Sequence, residues 1–180
     1  MVIRSFQSGD VPSILAMYQA AFAGYPWFEN LSDEVVRKRW QDNSLQPGFR
    51  CLVATINGVP VGAIWWDKPT LTSLISERGQ VLGDFVRGKY PDESLIWERE
   101  VITDPSYQGR GIAAALRIEF LRQVADAYQS FIVLTRMRDD NLAIIKIAQR
   151  LGFARTGLRR PSSADQNLYH EYWYYLSLAA

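Results

Sequence analysis

The chain has 180 residues, 48% of them hydrophobic and 22% charged, the composition of one ordinary globular domain large enough to bury a core. With 20 Lys plus Arg against 19 Asp plus Glu the formal net charge is +1, so no bulk field draws the chain to nucleic acid or an anionic membrane, and any anion must be held locally. Cys51 is the sole cysteine and His170 the sole histidine, which excludes an intrachain disulfide, a multi-cysteine metal site and a two-histidine zinc site, and no metal is expected.

Val2 to Phe6 predicts a short strand, and Ser8-Gly9-Asp10 offers an N-cap before Val11, Ile14, Leu15, Tyr18 and Phe22, which recur at helical spacing. Gly24-Tyr25-Pro26-Trp27 breaks that helix. Ser32-Asp33-Glu34 predicts the cap and first turn of a second helix through Val35, Val36 and Trp40, ended by Asn43 to Gly48. Arg50 to Ile56 and Val59 to Trp66 are β-rich runs around Asn57-Gly58, a two-residue hairpin signal. Leu71 to Tyr90 has helical periodicity interrupted by Gly79, Gly83 and Gly88 and stops at Pro91, which predicts a partly helical insertion at about 70–94.

Ser94 to Thr103 predicts a strand, Ile112 to Tyr128 a helix with Leu116, Phe120 and Val124 on one face, and Phe131 to Thr135 a buried strand. Asp139-Asp140-Asn141 can cap a helix over Leu142 to Leu151, which Gly152 ends. Ala154 to Arg159 and Tyr169 to Leu178 read as closing strands joined by the polar loop Pro161 to Asn167. The whole is an α/β fold in one domain, 1–180, with a single mixed sheet in the order β-α-α-β-β-(insert)-β-α-β-α-β-β. No segment approaches the roughly 20 apolar residues of a membrane span, and the amino terminus lacks a secretory apolar core, so a cytoplasmic protein is expected.

Between the strand ending at Thr103 and the helix starting at Ile112 lies Gln108-Gly109-Arg110-Gly111-Ile112-Ala113. The first N–H groups of a helix have no intrahelical partner, glycine lets a ligand approach the backbone, and the helix dipole favours an anion, so a pyrophosphate fits here. A P-loop needs Lys and then Ser or Thr after its last glycine, where this chain has Ile112-Ala113. A dinucleotide fingerprint is spelled by Gly109, Gly111 and Ala114, but the motif follows an antiparallel hairpin, and the next strand ends in Thr135-Arg136 where an acidic residue is wanted. Arg136 keeps an NADP-linked reductase among the readings.

The same hexapeptide matches the Q/R-x-x-G-x-G/A signature of the GNAT acyl-CoA-dependent N-acyltransferases, and Val101 to Tyr107 resembles the fourth strand and turn of that family. Asn141, Ile144 and Leu151-Gly152-Phe153 resemble its second motif. The resemblance covers nearly the whole chain, with the insertion as a departure. It implies central parallel strands that splay apart, the pantetheine arm of acetyl-CoA paired with the backbone of Val101, Ile102 and Thr103, and the pyrophosphate cradled by Gln108, Gly109, Arg110, Gly111, Ile112 and Ala113. Asn141 would sit beside the pantetheine arm. Arg110 either adds a contact to phosphate or is a solvated loop arginine.

Acyl transfer to an amine needs a base. Glu98 and Glu100 stand two apart on the fourth strand, and either could serve, with Glu100 preferred as nearer the gap; the alternative is a solvent-facing Glu-Arg-Glu edge. Where many members carry a leaving-group tyrosine, this chain has Ala148, so the acid is unassigned, with Tyr169, Tyr172, Tyr174 and Tyr175 as candidates that equally suit packing. His170 reads as a surface residue and Cys51 as a small core residue. Tyr25 to Glu29, with Trp27 and Trp65 or Trp66, would form either an acceptor wall or a loop pinned on the core. The insertion would be a lid or a homodimer contact. The expected reaction is acetyl transfer from acetyl-CoA to a primary amine of a small molecule or protein, with no nucleic-acid partner; a non-catalytic acyl-CoA sensor is the alternative.

Overall fold

The computed structural model describes residues 1–89, 94–162 and 167–178. The far end of the expected insertion, from Tyr90, and part of the loop Pro161 to Asn167 lie outside them. Seven strands form one mixed sheet in the order β1-β2-β3-β4-β5-β7-β6. They are β1 (Val2–Ser5), β2 (Arg50–Ile56), β3 (Val59–Asp67), β4 (Leu95–Thr103), β5 (Phe131–Arg138), β6 (Ala154–Pro161) and β7 (Tyr169–Ser177). Six helices accompany them: α1 (Val11–Ala23), α2 (Asp33–Ser44), α3 (Leu71–Arg78), α4 (Gln80–Lys89), α5 (Ile112–Ala127) and α6 (Leu142–Arg150). Among the described residues no helix is long and apolar enough to cross a membrane. The chain folds into two compact units, Met1–Trp66 with Arg99–Leu121, and Asp67–Glu98 with Arg122–Ala180.

In the first unit, β1 and β2 pair antiparallel from Val2↔Thr55 to Ser5↔Leu52, and β2 and β3 form the expected hairpin, closed at Ile56↔Val59. Asn57 and Gly58 take φ of 51° and 79°, the left-handed pair that a two-residue turn requires. Asp10 explains the entry into α1: its carboxylate accepts from both guanidinium nitrogens of Arg4 at 2.7 Å and from the Gln7 N–H at 2.8 Å. Ser32 caps α2, its Oγ accepting the Val35 N–H. The apolar stripes of α1 and α2 bury Ile14, Met17, Tyr18, Phe22, Val36 and Trp40 with Val53, Ala63, Trp65 and Ile102. Trp66, one residue on, packs instead on Phe120 of α5 with ring centroids 4.8 Å apart, as strand alternation dictates.

In the second unit the described part of the insertion is two helices broken at Gly79, whose φ is 100°. Gly83 and Gly88, expected as breaks, lie inside α4. Gly83 is there for contact, since a Cβ at that position would stand 2.2 Å from Ile75 Cγ1 on α3. Leu74, Leu82 and Val86 pack on Leu95, Trp97, Ile132, Leu134 and Tyr172, so the apolar side of the insertion is occupied by the sheet of its own unit. Phe131, Ile132, Val133 and Leu134 are all buried, as befits a strand covered on both faces.

Two sequence expectations fail here. β5 continues past Thr135 to Arg138, pairing with β7 up to Arg138↔His170. The apolar run stops at Thr135, which places the expected end at Thr135-Arg136, yet the Arg138 side chain is 2% exposed, with Asp140 accepting from its Nε at 2.7 Å and its Nη2 at 3.0 Å. His170, expected at the surface, is 8% exposed. Burial, and after it the charges of Arg136 and Arg138, pull its pKa down to about 4.

Candidate active site

The Gln108–Ala113 segment is built as its residue types demand. A short 3-10 turn over Pro105–Tyr107, with the Asp104 carboxylate accepting the Ser106 N–H at 2.8 Å, carries the chain out of β4. Gly109 and Gly111 then take φ of 75° and 78°, with nothing within 4 Å of where a Cβ would stand at either. Left-handed backbone costs an L-residue roughly 1–2 kcal/mol, which is the local reason for glycine at both positions. Gln108 to Gly111 are exposed, while Ile112 is buried and anchors the first turn of α5. Gly62 of β3 lets that turn sit close, because a Cβ there would lie 2.8 Å from Ile112 Cγ2 and 3.0 Å from the Ile102 carbonyl oxygen. The result is an open helix amino terminus able to receive an anion on main-chain N–H groups. The Arg110 guanidinium lies over the Tyr107 ring, 5.0 Å from its centroid.

Upstream on β4, Ile102 belongs to the core of the first unit, while Val101 and Thr103 are half-buried. Glu100 is half-buried as well. Its charge acts on two side chains that the sequence reading did not connect with the site. The Tyr18 hydroxyl is pushed well above the usual tyrosine range by burial and then by Glu100, against a bond from Arg39. Burial opposes the charge of Arg39, and Tyr18, Glu29 and Glu100 together outweigh it, so the guanidinium pKa is raised. Arg39 Nη1 donates to the Tyr18 hydroxyl at 3.3 Å and lies 3.5 Å from Glu29 Oε2. In the sequence Tyr18 stands out only as one of the apolar-periodic positions of α1, and Arg39 not at all. Their meeting depends on how α1 and α2 pack, which no local pattern encodes.

The loop between α1 and α2 is pinned on the core at one residue and exposes two others. Trp27 stacks on Phe22 at 4.9 Å and is held against the core, while Tyr25 and Phe28 are 66% and 71% exposed with ring centroids 6.1 Å apart. Trp65 packs inside the first unit and does not reach the surface. Cys51 is buried, and burial drives its thiol pKa far upward, which suits a core residue and not a nucleophile.

In the second unit, Asn141 is the N-cap of α6, its Oδ1 accepting the Ile144 N–H at 3.5 Å. Leu151-Gly152-Phe153 closes the same helix: the Phe153 N–H bonds the Ala148 carbonyl at 3.0 Å, the Gly152 N–H bonds that of Gln149 at 3.1 Å, and Gly152 has φ of 89°. This is the Schellman arrangement, so both ends of that motif have a backbone reason. Ala148 is fully buried. Glu98 is 2% exposed, and its Oε1 accepts from the Thr135 hydroxyl at 3.4 Å. The solvent-facing Glu-Arg-Glu edge is therefore wrong, since Glu98 is buried and Arg99 and Glu100 are half-buried. Of the closing-strand tyrosines, Tyr172 is buried among the residues under the insertion, Tyr174 stacks edge-on with Phe85 and Tyr175 lies against Phe131 and Phe153. All three have packing roles.

Residues 13–153 match the model of the acetyltransferase (GNAT) family. Among curated proteins, N-alpha-acetyltransferase RimI of Mycobacterium tuberculosis is 42% identical over 67 residues, 36% of this chain and 40% of the relative's length. Two solved structures share the fold over nearly the whole chain. A ribosomal-protein-alanine N-acetyltransferase from Brucella melitensis superposes with a TM-score of 0.70 at 19% identity, covering 98% of this chain and 99% of the other. The yncA protein, a putative acetyltransferase from Salmonella typhimurium solved with its cofactor acetyl-CoA, gives 0.69 at 18% identity over 98% and 93%.

Proposed function

The chain belongs to the acetyltransferase (GNAT) family, and from that premise we propose that it transfers an acetyl group from acetyl-CoA directly to a primary amine. The observation that carries the reading is the pair of left-handed glycines flanking Arg110 at the exposed amino terminus of α5, after the turn that leads out of β4. Gln108 to Ala113 hold the pyrophosphate through main-chain N–H groups, and Val101, Ile102 and Thr103 offer backbone to the pantetheine arm as an added strand would. Asn141 already caps α6 through its Oδ1, and its amide nitrogen serves the pantetheine arm.

The amine nitrogen attacks the thioester carbonyl carbon, the C–S bond breaks, and the electron pair leaves with sulfur as the CoA thiolate. Glu100 takes the proton shed by the amine, directly or through water. Glu98 is the weaker candidate, because its carboxylate is buried beside the Thr135 hydroxyl. Ala148 cannot donate a proton, so the thiolate leaves without an acid from that position. The acceptor belongs to the amines of small molecules or proteins, and the name of the RimI relative puts polypeptide α-amino groups first among those to try.

Acetyl-CoA, CoA and NADPH are compared as stabilisers in thermal unfolding, and thiol release is followed over a library of amines that includes peptides. A ligand present at a hundredfold excess over its dissociation constant adds about 2.7 kcal/mol. Acetyl-CoA is expected to raise the melting temperature and NADPH to leave it unchanged; stabilisation by NADPH alone overturns the reading. Glu100→Gln is expected to lower kcat about a hundredfold or more, and Glu98→Gln to cost less. The buried alanine at 148 favours one second reading, a sensor that binds acyl-CoA without turnover. Tight acetyl-CoA binding with no thiol release on any amine would select it.

A further inference from the structure

Two side chains from separate parts of the first unit touch Arg39, and a third acts on it electrostatically. Tyr18 comes from α1, Arg39 from α2, Glu29 from the loop between those helices and Glu100 from β4. Arg39 bridges two of them, donating to the Tyr18 hydroxyl at 3.3 Å and standing 3.5 Å from Glu29 Oε2, and Glu100 acts electrostatically on both Tyr18 and Arg39. Tyr18 is itself only 6% exposed and stacks on Phe22 at 4.3 Å, which stacks in turn on Trp27 of the loop.

The loop is held by main-chain bonds at its turn and by contacts with the helices on either side. The Trp27 and Phe28 N–H groups both donate to the Gly24 carbonyl, and Phe28 sits at φ 51°, left-handed backbone that a bulky residue enters only when its surroundings impose it. Past Phe28, the Glu29 N–H bonds the Phe22 carbonyl at 2.8 Å, and Gln19 Nε2 donates to the Leu31 carbonyl at 2.9 Å. Glu29 is the residue at which the loop meets a charge. The same strained turn presents Tyr25 and Phe28 outward.

We propose that Arg39 is a positioning residue for the acceptor amine: by holding the Tyr18 hydroxyl and the Glu29 carboxylate together, it fixes the aromatic loop 24–31 in register with Glu100. The proposal rests on the acyltransferase reading above. A guanidinium suits the task because its planar fork serves two partners in different directions, which a lysine ammonium on a flexible stem does less well. The cluster also explains why an exposed pair of aromatic rings stays where an amine with an apolar body can use it. The acceptor, and not acetyl-CoA, is what should feel the loss of Arg39.

The test compares wild type with Arg39→Gln, Arg39→Lys, Tyr18→Phe and Glu29→Gln, using the best amine from the thiol-release screen. Arg39→Gln is expected to raise the acceptor KM about tenfold or more while acetyl-CoA affinity stays within about twofold, with partial recovery in Arg39→Lys. Amide exchange of residues 24–31 is expected to quicken in the same variant. Adding Glu29→Gln to Arg39→Gln should cost little more, since both remove one contact. Tyr18→Phe deletes only the hydroxyl and should show the same split in milder form, which serves if Arg39→Gln does not fold. Wild-type acceptor kinetics in both Arg39→Gln and Tyr18→Phe, unchanged exchange of the loop, or an equal loss of acetyl-CoA affinity would overturn the proposal. Failure of the acyltransferase reading is seen separately, in the unmutated protein, as acetyl-CoA binding without turnover on any amine, and it takes this proposal with it.

Discussion

At the scale of single residues, charge placement carries the most information. Asp10 keeps its carboxyl below the usual range because Arg4 bonds it, helped by the Gln7 N–H and opposed by burial. His170 is the converse case, a neutral ring held in a buried strand with its pKa lowered to about 4. Between that value and the unfolded one near 6.5, the unfolded chain binds a proton that the folded chain does not. Stability therefore falls as pH drops through this window, at about 1 kcal/mol per pH unit, and is constant in this respect above it. Urea unfolding at pH 7, 6 and 5 should show the fall, and His170→Gln should flatten it. Gly111→Val tests the cradle: its backbone is left-handed with open space around it, so the expected outcome is acetyl-CoA binding weakened about tenfold or more by titration calorimetry, with a fall in melting temperature of only a few degrees.

At the scale of elements, glycines that look alike in the sequence separate into different jobs. Gly79 ends α3 at positive φ, Gly83 makes room for Ile75, and Gly88 has nothing within 4 Å of its missing Cβ inside the same helix as Gly83. Gly88→Ala is expected to raise stability by about 0.5–1 kcal/mol, because alanine is the better helix former and meets no obstacle. Gly83→Ala, identical in propensity, is expected to lower the melting temperature by forcing α4 off α3. Thermal unfolding of the two variants side by side decides it. The sequence pattern treated all three glycines as breaks, since periodicity cannot tell a turn from a close approach. What could be read locally was read well: the Asn57-Gly58 hairpin, the Ser32 cap and the Leu-Gly-Phe helix ending each depend on residues only a few positions apart. The run of β5 to Arg138 was missed because the apolar run stops at Thr135: Arg136 is exposed, and the buried charge of Arg138 is met by Asp140.

At the scale of the whole molecule, β4 and α5 each pass from one compact unit into the other, and neither unit is a continuous stretch of chain. Losing either element from one unit deprives the second of its own share of it, so urea unfolding should be a single transition, with tryptophan fluorescence and far-ultraviolet circular dichroism coinciding. The backbone of the Gln108–Ala113 segment was legible because a few neighbouring residues, two of them glycines at positive φ, set it. The groups around Arg39 were not, because α1, α2, a loop and β4 contribute one side chain each. Only the packed molecule assembles them.

β6 closes one side of the sheet, and its pairing with β7 shifts register between Arg155 and Arg159. Both arginines lie across rings of β7, over Trp173 and Tyr169, and Arg160 and Pro161 complete the strand. An outer strand that is kinked, positively charged and ends in a residue lacking an N–H is a poor template for a further strand from another molecule. Replacing Arg155, Arg159 and Arg160 together by threonine would leave a smoother, uncharged border, and light scattering of concentrated samples should then rise with time. A rise would mean that the arginines of β6 keep copies of the protein apart, and unchanged scattering that the register shift and Pro161 are enough by themselves.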